Sequence, residues 1–398
     1  MRVLHIIPSI APVRGGPSQA ILEMVKALRQ SDLDTEIATT NDNGSELLDV
    51  PLQQRVDYQK VPVWFFPRFS PVISSVAEFA FSSQFTSWLW QNISSYDLIH
   101  IHAIFSYPST MAMKIARLKG IPYIIRPLGQ LCQWSLQQAQ LKKQIYLRII
   151  ERANLQGSSA LHLTAKQEQQ EMASLRLKTN SFILPHGLVI PDRISEARAK
   201  LRAKLKLAAN DKIVLFLSRI HQKKGLDYLI PALNKINDKS VTFVLAGNAD
   251  SAYEAEVDKM LLQHNLFSRT IKTGFVKGED KNLLLQGSDI FALTSYSENF
   301  GVAVLEALAV GTPVLTTPGV ALSSLLEQEN IGYVTELNVN KIASNLEYIL
   351  SHPQEAEEKS DRASKFVEAN YTWKNIAVKM ISVYEKILER RGHSSKYT

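Results

Sequence analysis

Apolar runs of strand length alternate with longer amphipathic stretches along the first 190 residues of the chain. The amphipathic stretches carry apolar residues at helical spacing, so the pattern predicts strands that alternate with helices. The predicted strands are residues 3–8, 35–40, 58–65, 98–104, 123–127, 160–164 and 181–184. The predicted helices are residues 17–30, 76–90, 108–119, 136–155 and 166–175.

The second half of the chain repeats this alternation. Strands are predicted at 213–218, 242–246, 271–275, 290–293, 314–316 and 333–335, with helical segments between them. Such alternation is typical of a parallel, doubly wound sheet, here one in each half. Pro185, Gly187 and Pro191 predict a hinge, and a charged helix at 195–206 opens the second domain. A last helix is predicted from residue 373 to 391.

The composition bounds the class of protein. A chain of 398 residues, 45% of them hydrophobic and 21% charged, fits two globular domains of about 190 residues each. No apolar run reaches the roughly 18 residues of a membrane-spanning helix, and the first residues lack the features of a signal peptide. Cys132 is the lone cysteine, which excludes an intrachain disulfide and a cysteine zinc cluster. We therefore expect a cytoplasmic protein.

The net charge of +7 is concentrated in the first half of the chain. Residues 1–190 contain 18 Lys and Arg against 13 Asp and Glu, whereas residues 191–398 contain 27 against 25. No basic run is interleaved with aromatic residues, so nucleic acid is not an expected partner. The excess indicates an anionic membrane surface or a phosphate-bearing substrate, and solubility alone is the alternative.

Residues 64–90 contain nine aromatic side chains. Two interpretations stay open for this segment. It forms a surface for an acceptor or a membrane, or it packs as an ordinary aromatic core.

Two glutamates eight positions apart, Glu298 and Glu306, give the most informative pattern in the chain. Glu298 follows the predicted strand 290–293, and Glu306 lies about two turns into the next helix. The loop at the carboxyl end of a strand is where open α/β sheets bind ligands. Between the two acids lies a helix start, whose free N–H groups suit an anion. Its residues are Asn299, Phe300, Gly301 and Val302. Carboxylates on both sides of an anion site suit a phosphate flanked by two polyols, as in a nucleotide-sugar.

Arg219 and Lys224 follow the first predicted strand of the second half and precede Gly225 and a helix. Arg can bind phosphate oxygens in a bidentate manner, and Lys acts as a point charge. A solvated basic loop is the alternative. Lys223 is the expected bystander.

Three positions in the first half lie at predicted strand ends or helix starts. Gly16 lies in the Arg14–Pro17 turn, where glycine allows close approach of the backbone to a ligand. His102 ends one predicted strand and shares a face with His100. Arg126 ends the next strand, where a structural salt bridge and a contact to acceptor or phosphate are both open.

The sequence resembles the retaining glycosyltransferases of family 4, which have the GT-B fold. The resemblance rests on Glu298–Glu306, with Gly311, Thr312, Pro313 and Val314 after them, and on the spacing of Arg219 and Lys224 before Gly225. It implies two Rossmann-like doubly wound domains that face a central cleft. The expected domains are residues 1–188 on the acceptor side and 189–372 for the nucleotide-sugar, with 373–398 crossing back to the first.

The resemblance also implies roles for individual residues. Arg219 and Lys224 would hold the donor diphosphate, Glu298 the sugar and Glu306 the ribose. His102 would contact the reacting sugar, with His100 in the core. Gly16 would face the donor phosphates and Val276 would meet the nucleobase.

A metal ion and a cofactor are not expected. The D-x-D pattern Asp32–Asp34 precedes its strand, which is the wrong place to hold a cation against a diphosphate, and two histidines without a nearby acid make a poor site. The charge of the diphosphate would then be met by Arg219, Lys224 and helix N-termini.

The predicted function is transfer of a sugar with retention, from a UDP-sugar, with glucose preferred, to a lipid-linked or growing exopolysaccharide acceptor. The segment from Arg126 to Gly129 resembles the bacterial exopolysaccharide enzymes in particular. The enzyme would work in the cytoplasm, with peripheral contact to the inner face of the membrane. The alternatives are a GT-B epimerase that hydrolyses its nucleotide-sugar, and a non-catalytic sugar-binding protein on the same fold.

Overall fold

The computed structural model describes residues 1–70, 79–132, 135–136 and 140–394. Parts of four predicted segments lie outside the described residues. They are residues 76–78 of the helix 76–90, 137–139 of the helix 136–155, 71–78 of the aromatic segment, and 395–398 of the C-terminal segment. The chain divides into two compact units, Met1–Gly187 with Trp373–Thr398, and Leu188–Thr372.

The first unit contains a sheet of eight strands in the order β10-β9-β8-β7-β1-β2-β6-β5. All neighbours pair in parallel except β5 and β6. The strands of the unit are Arg2–Ile6 (β1), Asp34–Thr40 (β2), Asp42–Asn43 (β3), Glu46–Leu47 (β4), Arg55–Tyr58 (β5), Val61–Phe66 (β6), Leu98–His102 (β7), Tyr123–Arg126 (β8), Ala160–Leu163 (β9) and Ser181–Ile183 (β10); β3 and β4 form a separate hairpin. Six of the seven strands predicted in this half are thereby confirmed.

The helices of the first unit include the end of the chain. They are Gly16–Gln30 (α1), Ser83–Asn92 (α2), Tyr107–Leu118 (α3), Gln140–Tyr146 (α4), Arg152–Gln156 (α5), Lys166–Ala173 (α6) and Trp373–Ser394 (α15). Helix α15 is amphipathic, and its apolar face, with Met380 and Tyr384, packs with Met24 of α1 and Val3 of β1 in one buried cluster. The C-terminal helix is therefore part of the core of this unit.

The second unit is built on a parallel sheet of six strands in the order β13-β12-β11-β14-β15-β16. Its strands are Lys212–Leu217 (β11), Val241–Ala246 (β12), Thr270–Gly274 (β13), Ile290–Leu293 (β14), Val314–Thr316 (β15) and Tyr333–Val334 (β16). Its helices are Ala197–Leu205 (α7), Leu226–Lys235 (α8), Ser251–Gln263 (α9), Gly278–Gly287 (α10), Val302–Ala309 (α11), Ser323–Gln328 (α12), Val339–Ser351 (α13) and Pro353–Tyr371 (α14). Each unit thus has the predicted doubly wound arrangement.

Two predicted elements differ from the structure. The predicted strand 58–65 is the second arm of a hairpin, because Gln59 and Lys60 adopt left-handed φ angles of 54° and 66° and turn the chain between β5 and β6. Neither residue is a typical turn residue at such angles, so the pattern gave no sign of the turn. The predicted helix 136–155 contains a π-helical segment, Leu147–Glu151, between α4 and α5. The other predicted elements are confirmed to within a few residues where they are described.

The nine aromatic residues of 64–90 are divided between the core and the surface. Phe65, Phe66 and Phe85 are fully buried, and Trp64 and Trp88 pack partly buried against the core. Phe69, Phe81 and Trp90 are exposed. Core packing therefore accounts for part of the segment, and the three exposed residues leave the surface interpretation open. No helix of the described residues is long and apolar enough to span a bilayer.

Candidate active site

The sheet of the second unit has its switch point between β11 and β14. From this pair the chain runs outward to β12 and β13 on one side and to β15 and β16 on the other. Ligands of open α/β sheets bind outside the carboxyl ends of the strands at such a point. The loops that follow β11 and β14 carry Arg219 and Lys224, and Glu298, respectively.

Backbone and side-chain hydrogen bonds hold these two loops together. The Thr294 hydroxyl donates to the Gly225 carbonyl at 3.0 Å, and the Tyr296 N–H donates to the Lys223 carbonyl at 2.9 Å. Gly225 has a φ of 67°, and a Cβ at this position would lie 2.0 Å from the Thr294 oxygen. Only glycine fits here without a shift of the backbone. The glycine therefore fixes the approach of the loop that carries Lys224 to the loop that carries Glu298.

Lys224 and Glu298 form an ion pair through Nζ and Oε2. The Lys224 side chain is 11% exposed and that of Glu298 is 21% exposed, so the pair is largely shielded from water. The Glu298 backbone is held as well, since its N–H donates to Gly319 at 2.7 Å and its carbonyl accepts from Ala321 at 3.1 Å. The residues predicted to bind the diphosphate and the sugar are thus neighbours that neutralise each other.

Arg219 is the exposed cation of the same loop, and no ion pair to it is found among the described residues. The chain beside it is fixed, because the Ser218 and Ile220 N–H groups donate to Ala246 and Asn248 at 3.1 and 2.9 Å. His221 accepts from the Lys223 N–H at 3.1 Å, and burial, followed by the charge of Arg219, lowers its pKa. His221 is therefore neutral at pH 7 and adds no further charge.

Glu306 lies within α11 and pairs with Lys281 of α10 at 2.7 Å. An acid in so apolar a helix needs a partner, and Lys281 supplies it. Gly301, with a φ of 88°, precedes α11 as its N-cap residue. The Phe300 side chain is buried, with its ring 6.4 Å from that of Tyr371. Phe300 can therefore offer a ligand its backbone rather than its ring.

Val276 lies just beyond β13 and packs partly buried against the core of the second unit. Gly274 before it has a φ of 67°, and its carbonyl accepts from the Gly247 N–H at 2.8 Å. Phe275, between them, is 67% exposed. The loop thus presents an aromatic side chain that sequence reasoning passed over.

In the first unit, Gly16 begins α1 and is exposed, with nothing within 4 Å of an added Cβ. The neighbouring Arg14 makes two contacts to Asp42, at 2.6 and 2.9 Å, and Arg68 pairs with the same carboxylate. This buried acid between two arginines was not predicted, because 26 or more residues separate the partners along the chain.

His102 is the last residue of β7 and is 1% exposed. Its Nε2 lies 3.0 Å from Nδ1 of His5 on the neighbouring strand β1. Burial lowers the pKa of His102 well below its usual value and that of His5 to about 3, with Arg126 acting in the same direction on both. Both rings are therefore neutral.

His100 lies in the core, as predicted, within a chain of hydrogen bonds that sets its tautomer. His162 Nε2 donates to the Leu184 carbonyl at 2.8 Å, so His162 Nδ1 accepts from His100 Nε2 at 3.2 Å. His100 Nδ1 then accepts from the Tyr384 hydroxyl at 2.7 Å. Ring nitrogens of His5, His100 and His102 lie within 4.8 Å of one another. Since both nitrogens of His100 are used, a metal bound by all three rings would have to break this chain.

Arg126, the last residue of β8, is 1% exposed. The Arg126 Nη2 contacts the His186 ring at 3.0 Å. Burial lowers the pKa of Arg126 to about 10. No ion pair to Arg126 is found among the described residues, which argues against the structural salt bridge. Sequence reasoning passed over His5, His162 and His186, because their contacts to His102, His100 and Arg126, respectively, span 60 or more residues.

Two families of known proteins match the chain. The family described as "Glycosyl transferase 4-like domain" matches residues 15–184, and the family described as "Glycosyl transferases group 1" matches residues 197–373. An uncharacterised glycosyltransferase of Methanocaldococcus jannaschii is 30% identical over 50% of this chain and 50% of its own length. The GDP-mannose:cellobiosyl-diphosphopolyprenol alpha-mannosyltransferase of Xanthomonas oryzae is 20% identical over 98% of this chain and 97% of its own length.

Solved structures share the fold. Anabaena HepE in complex with UDP and glucose has a TM-score of 0.75 and 19% identity, and the match covers 97% of this chain and 100% of that chain. Sucrose-phosphate synthase of Thermosynechococcus elongatus has a TM-score of 0.79 and 19% identity, covering 98% and 100%. The chain spans 50% of the length of the Methanocaldococcus relative and 55% of the length of a putative teichuronic acid biosynthesis glycosyltransferase of Bacillus subtilis, to which it is 27% identical.

Two doubly wound units, the second of which carries cations and carboxylates at its switch point, agree with the GT-B class of glycosyltransferase. Because the two families together span residues 15–184 and 197–373, the chain belongs to the GT-B glycosyltransferases of the family 4 type. The predicted GT-B fold and the family 4 type are thereby confirmed, whereas retention and the resemblance to exopolysaccharide enzymes stay predictions.

Proposed function

We propose that this protein transfers glucose from UDP-glucose, with retention at the anomeric carbon, to a lipid-linked or growing exopolysaccharide acceptor. The observation that carries the proposal is the Lys224–Glu298 ion pair at the switch point of the second unit, beside the exposed Arg219. In this pair Lys224, the proposed cation for the diphosphate, lies next to Glu298, the proposed carboxylate for the sugar hydroxyls. The similar structure of HepE, which was solved with UDP and glucose, supports the choice of donor.

Fixed positive charge is the main catalytic contribution in this proposal. Arg219 and Lys224 stabilise the negative charge that develops on the leaving UDP, in a loop that is already positioned. Glu298 orients the sugar, Glu306 holds the ribose, and the backbone near Val276 meets the base. Asn299 to Val302 supply N–H groups at the start of α11. No metal is required, because the two side-chain cations meet the charge of the diphosphate. The roles of Gly16, His102 and Arg126 stay predictions.

Two alternative functions are less well supported. An epimerase that hydrolyses its nucleotide-sugar does not need the paired elements of Arg219 with Lys224 and Glu298 with Glu306. A non-catalytic relative would have lost at least one of these four residues. GDP-mannose is the alternative donor, because the Xanthomonas relative that spans nearly the whole chain uses it.

A panel of nucleotides tests the donor. We expect UDP and UDP-glucose to raise the melting temperature more than GDP and GDP-mannose at equal concentration, because a bound ligand stabilises the folded state. We also expect donor turnover to survive excess chelator. Stabilisation by GDP-mannose but not by UDP-glucose would contradict the proposed donor and identify GDP-mannose in its place. Turnover that stops in chelator and returns with magnesium or manganese would reveal a missed metal site.

We further propose that an apolar face on α4 and the π-helical segment brings the enzyme to an anionic membrane, where a lipid-linked acceptor would reside. Leu141, Ile145 and Ile149 recur every four residues and are 72%, 50% and 72% exposed. Arg148 and Arg152 beside them are also exposed, whereas Glu151, the only acid between residues 140 and 156, is fully buried. Apolar residues flanked by cations suit an anionic lipid surface.

Sedimentation with vesicles tests this face. The protein should sediment with phosphatidylglycerol vesicles more than with phosphatidylcholine vesicles, and less at high salt. Serine at Leu141, Ile145 and Ile149 together should weaken this binding by about tenfold or more, because each residue would otherwise bury apolar surface. The matched control is Leu262→Ser with Phe267→Ser, which removes two exposed apolar residues of the second unit. Equal loss in both sets, or binding unaffected by the triple change, would contradict the proposal.

A further inference from the structure

The first unit has a switch point of its own, between β1 and β7. The chain leaves β1 toward β2 and β6 on one side, and later continues from β7 toward β8, β9 and β10 on the other. Ligands bind outside the carboxyl ends of such strands. His5 lies one residue before the end of β1, and His102 and Arg126 end β7 and β8. The hydrogen bond between His5 and His102 therefore joins the two strands that flank the switch point.

Arg126 brings a buried positive charge to this place. Glu168 is the acid whose charge acts on it, but the Glu168 oxygens are used elsewhere. They accept from the Gly129 N–H at 2.9 Å and from the Thr164 N–H and hydroxyl at 2.8 and 2.9 Å. No ion pair joins Arg126 to any acid in the part of the chain that the structure describes. A buried guanidinium without a paired anion is costly to the folded state.

Arg126 and His5 each have one buried nitrogen with no hydrogen-bond partner within the described part of the chain. These nitrogens are Nε of Arg126 and Nε2 of His5. Buried polar nitrogens are nearly always paired in folded proteins, so these two point to a missing partner. The side chain that Arg126 does contact, His186, is neutral, because burial and then Arg126 itself lower its pKa. An imidazole ring is either neutral or positive, so His186 cannot offset the positive charge of Arg126.

We propose that Arg126 and His5 form an anion site at the switch point of the first unit, and that the anion is a phosphate-type group of a substrate. The Nε–H of Arg126 lies on the same edge of the guanidinium as one N–H of Nη2, so this edge suits two oxygens of one tetrahedral anion. The neutral His5 ring donates from Nε2 in the tautomer whose Nδ1 accepts from His102 Nε2. The anion site itself is independent of the proposed function. Only the assignment of the anion to a glycosyltransferase substrate rests on that function. The phosphate belongs to the donor or to the acceptor.

Inorganic phosphate is the probe, used with the full chain against sodium chloride of equal ionic strength. We expect phosphate to raise the melting temperature of the wild-type protein and of Arg219→Ala, which removes a phosphate contact of the second unit. Arg126→Met should lose about tenfold or more in apparent phosphate affinity, as expected for a lost charge-assisted contact. His5→Asn, which keeps an amide near Nδ1 and removes Nε2, should lose a smaller factor.

A matched arginine separates a binding role from a structural one. Arg202 is also buried, but it pairs with Asp289 at 2.6 Å. Arg202→Met should lower the melting temperature in phosphate-free buffer, because it strands Asp289, whereas Arg126→Met should leave it unchanged or raise it. A fall in Arg126→Met as large as that in Arg202→Met would overturn the proposal. Phosphate stabilisation that survives in Arg126→Met but is lost in Arg219→Ala would overturn it as well, as would the absence of any phosphate effect.

The affinity of Arg126→Met for UDP shows whether the phosphate belongs to the donor or to the acceptor. If Arg126→Met weakens UDP binding together with phosphate binding, the anion belongs to the donor. If UDP binding is unchanged while phosphate binding is lost, the anion belongs to the acceptor. Failure of UDP to bind the wild-type protein would instead count against the proposed donor and leave the phosphate measurements to decide this site.

Discussion

Lys224→Met and Arg219→Ala are each expected to raise the dissociation constant for UDP by about tenfold or more. Each change removes a charge-assisted contact to the diphosphate, worth roughly 1.5–3 kcal/mol. Donor turnover should fall further than UDP affinity, because the same charges stabilise the leaving group as it departs. Isothermal titration calorimetry with UDP and initial rates with UDP-glucose give the two quantities.

Lys223→Met is the matched control, since it removes an equal charge from the adjacent position of the same loop. It should leave UDP affinity nearly unchanged. Lys224→Met also deprives Glu298 of its ion-pair partner, so the melting temperature of each variant is needed beside its affinity. Unchanged UDP affinity in both Lys224→Met and Arg219→Ala would contradict the donor site, and so would an equal loss in Lys223→Met.

The confirmed parts of the fold follow from local sequence. The strands β14 and β15 were predicted at their observed bounds, because short apolar runs end in polar or turn residues there. The sequence also shows a glycine directly after the basic loop. The structure explains why glycine is needed there, because Gly225 lies too close to the Thr294 backbone for a Cβ. The alternation of such elements is sufficient to predict a doubly wound sheet in each half.

The pairings within the site were beyond sequence reasoning, because they join distant positions. Lys224 and Glu298 are 74 residues apart, and Lys281 and Glu306 are 25 apart. His100 and Tyr384 are 284 apart and meet only because α15 belongs to the first unit. Periodicity indicates which residues lie at strand ends, but it does not give the order of strands in the sheet. That order brings His5 beside His102.

Glu298→Gln is expected to lower kcat, whereas Glu306→Gln is expected to lower the affinity for UDP. Glu298→Gln keeps the volume of the side chain but removes its charge beside the developing positive charge of the sugar, so kcat should fall on the order of a hundredfold. UDP should bind this variant as well as the wild type or more tightly, because Lys224 no longer has a competing carboxylate. UDP has no glucose, so the sugar contact does not enter that measurement.

Glu306→Gln should instead weaken UDP itself, by on the order of 1–3 kcal/mol, because the ribose belongs to the product as well as to the donor. Lys281→Met is the control, since it breaks the same ion pair from the other side and leaves the carboxylate in place. A UDP affinity near wild type in Lys281→Met, with a loss in Glu306→Gln, would assign the effect to the carboxylate and not to the broken pair. Equal losses in both would assign it to the pair. If Glu298→Gln and Glu306→Gln both bind UDP, melt and turn over donor as the wild type does, the proposed roles of the two glutamates are wrong.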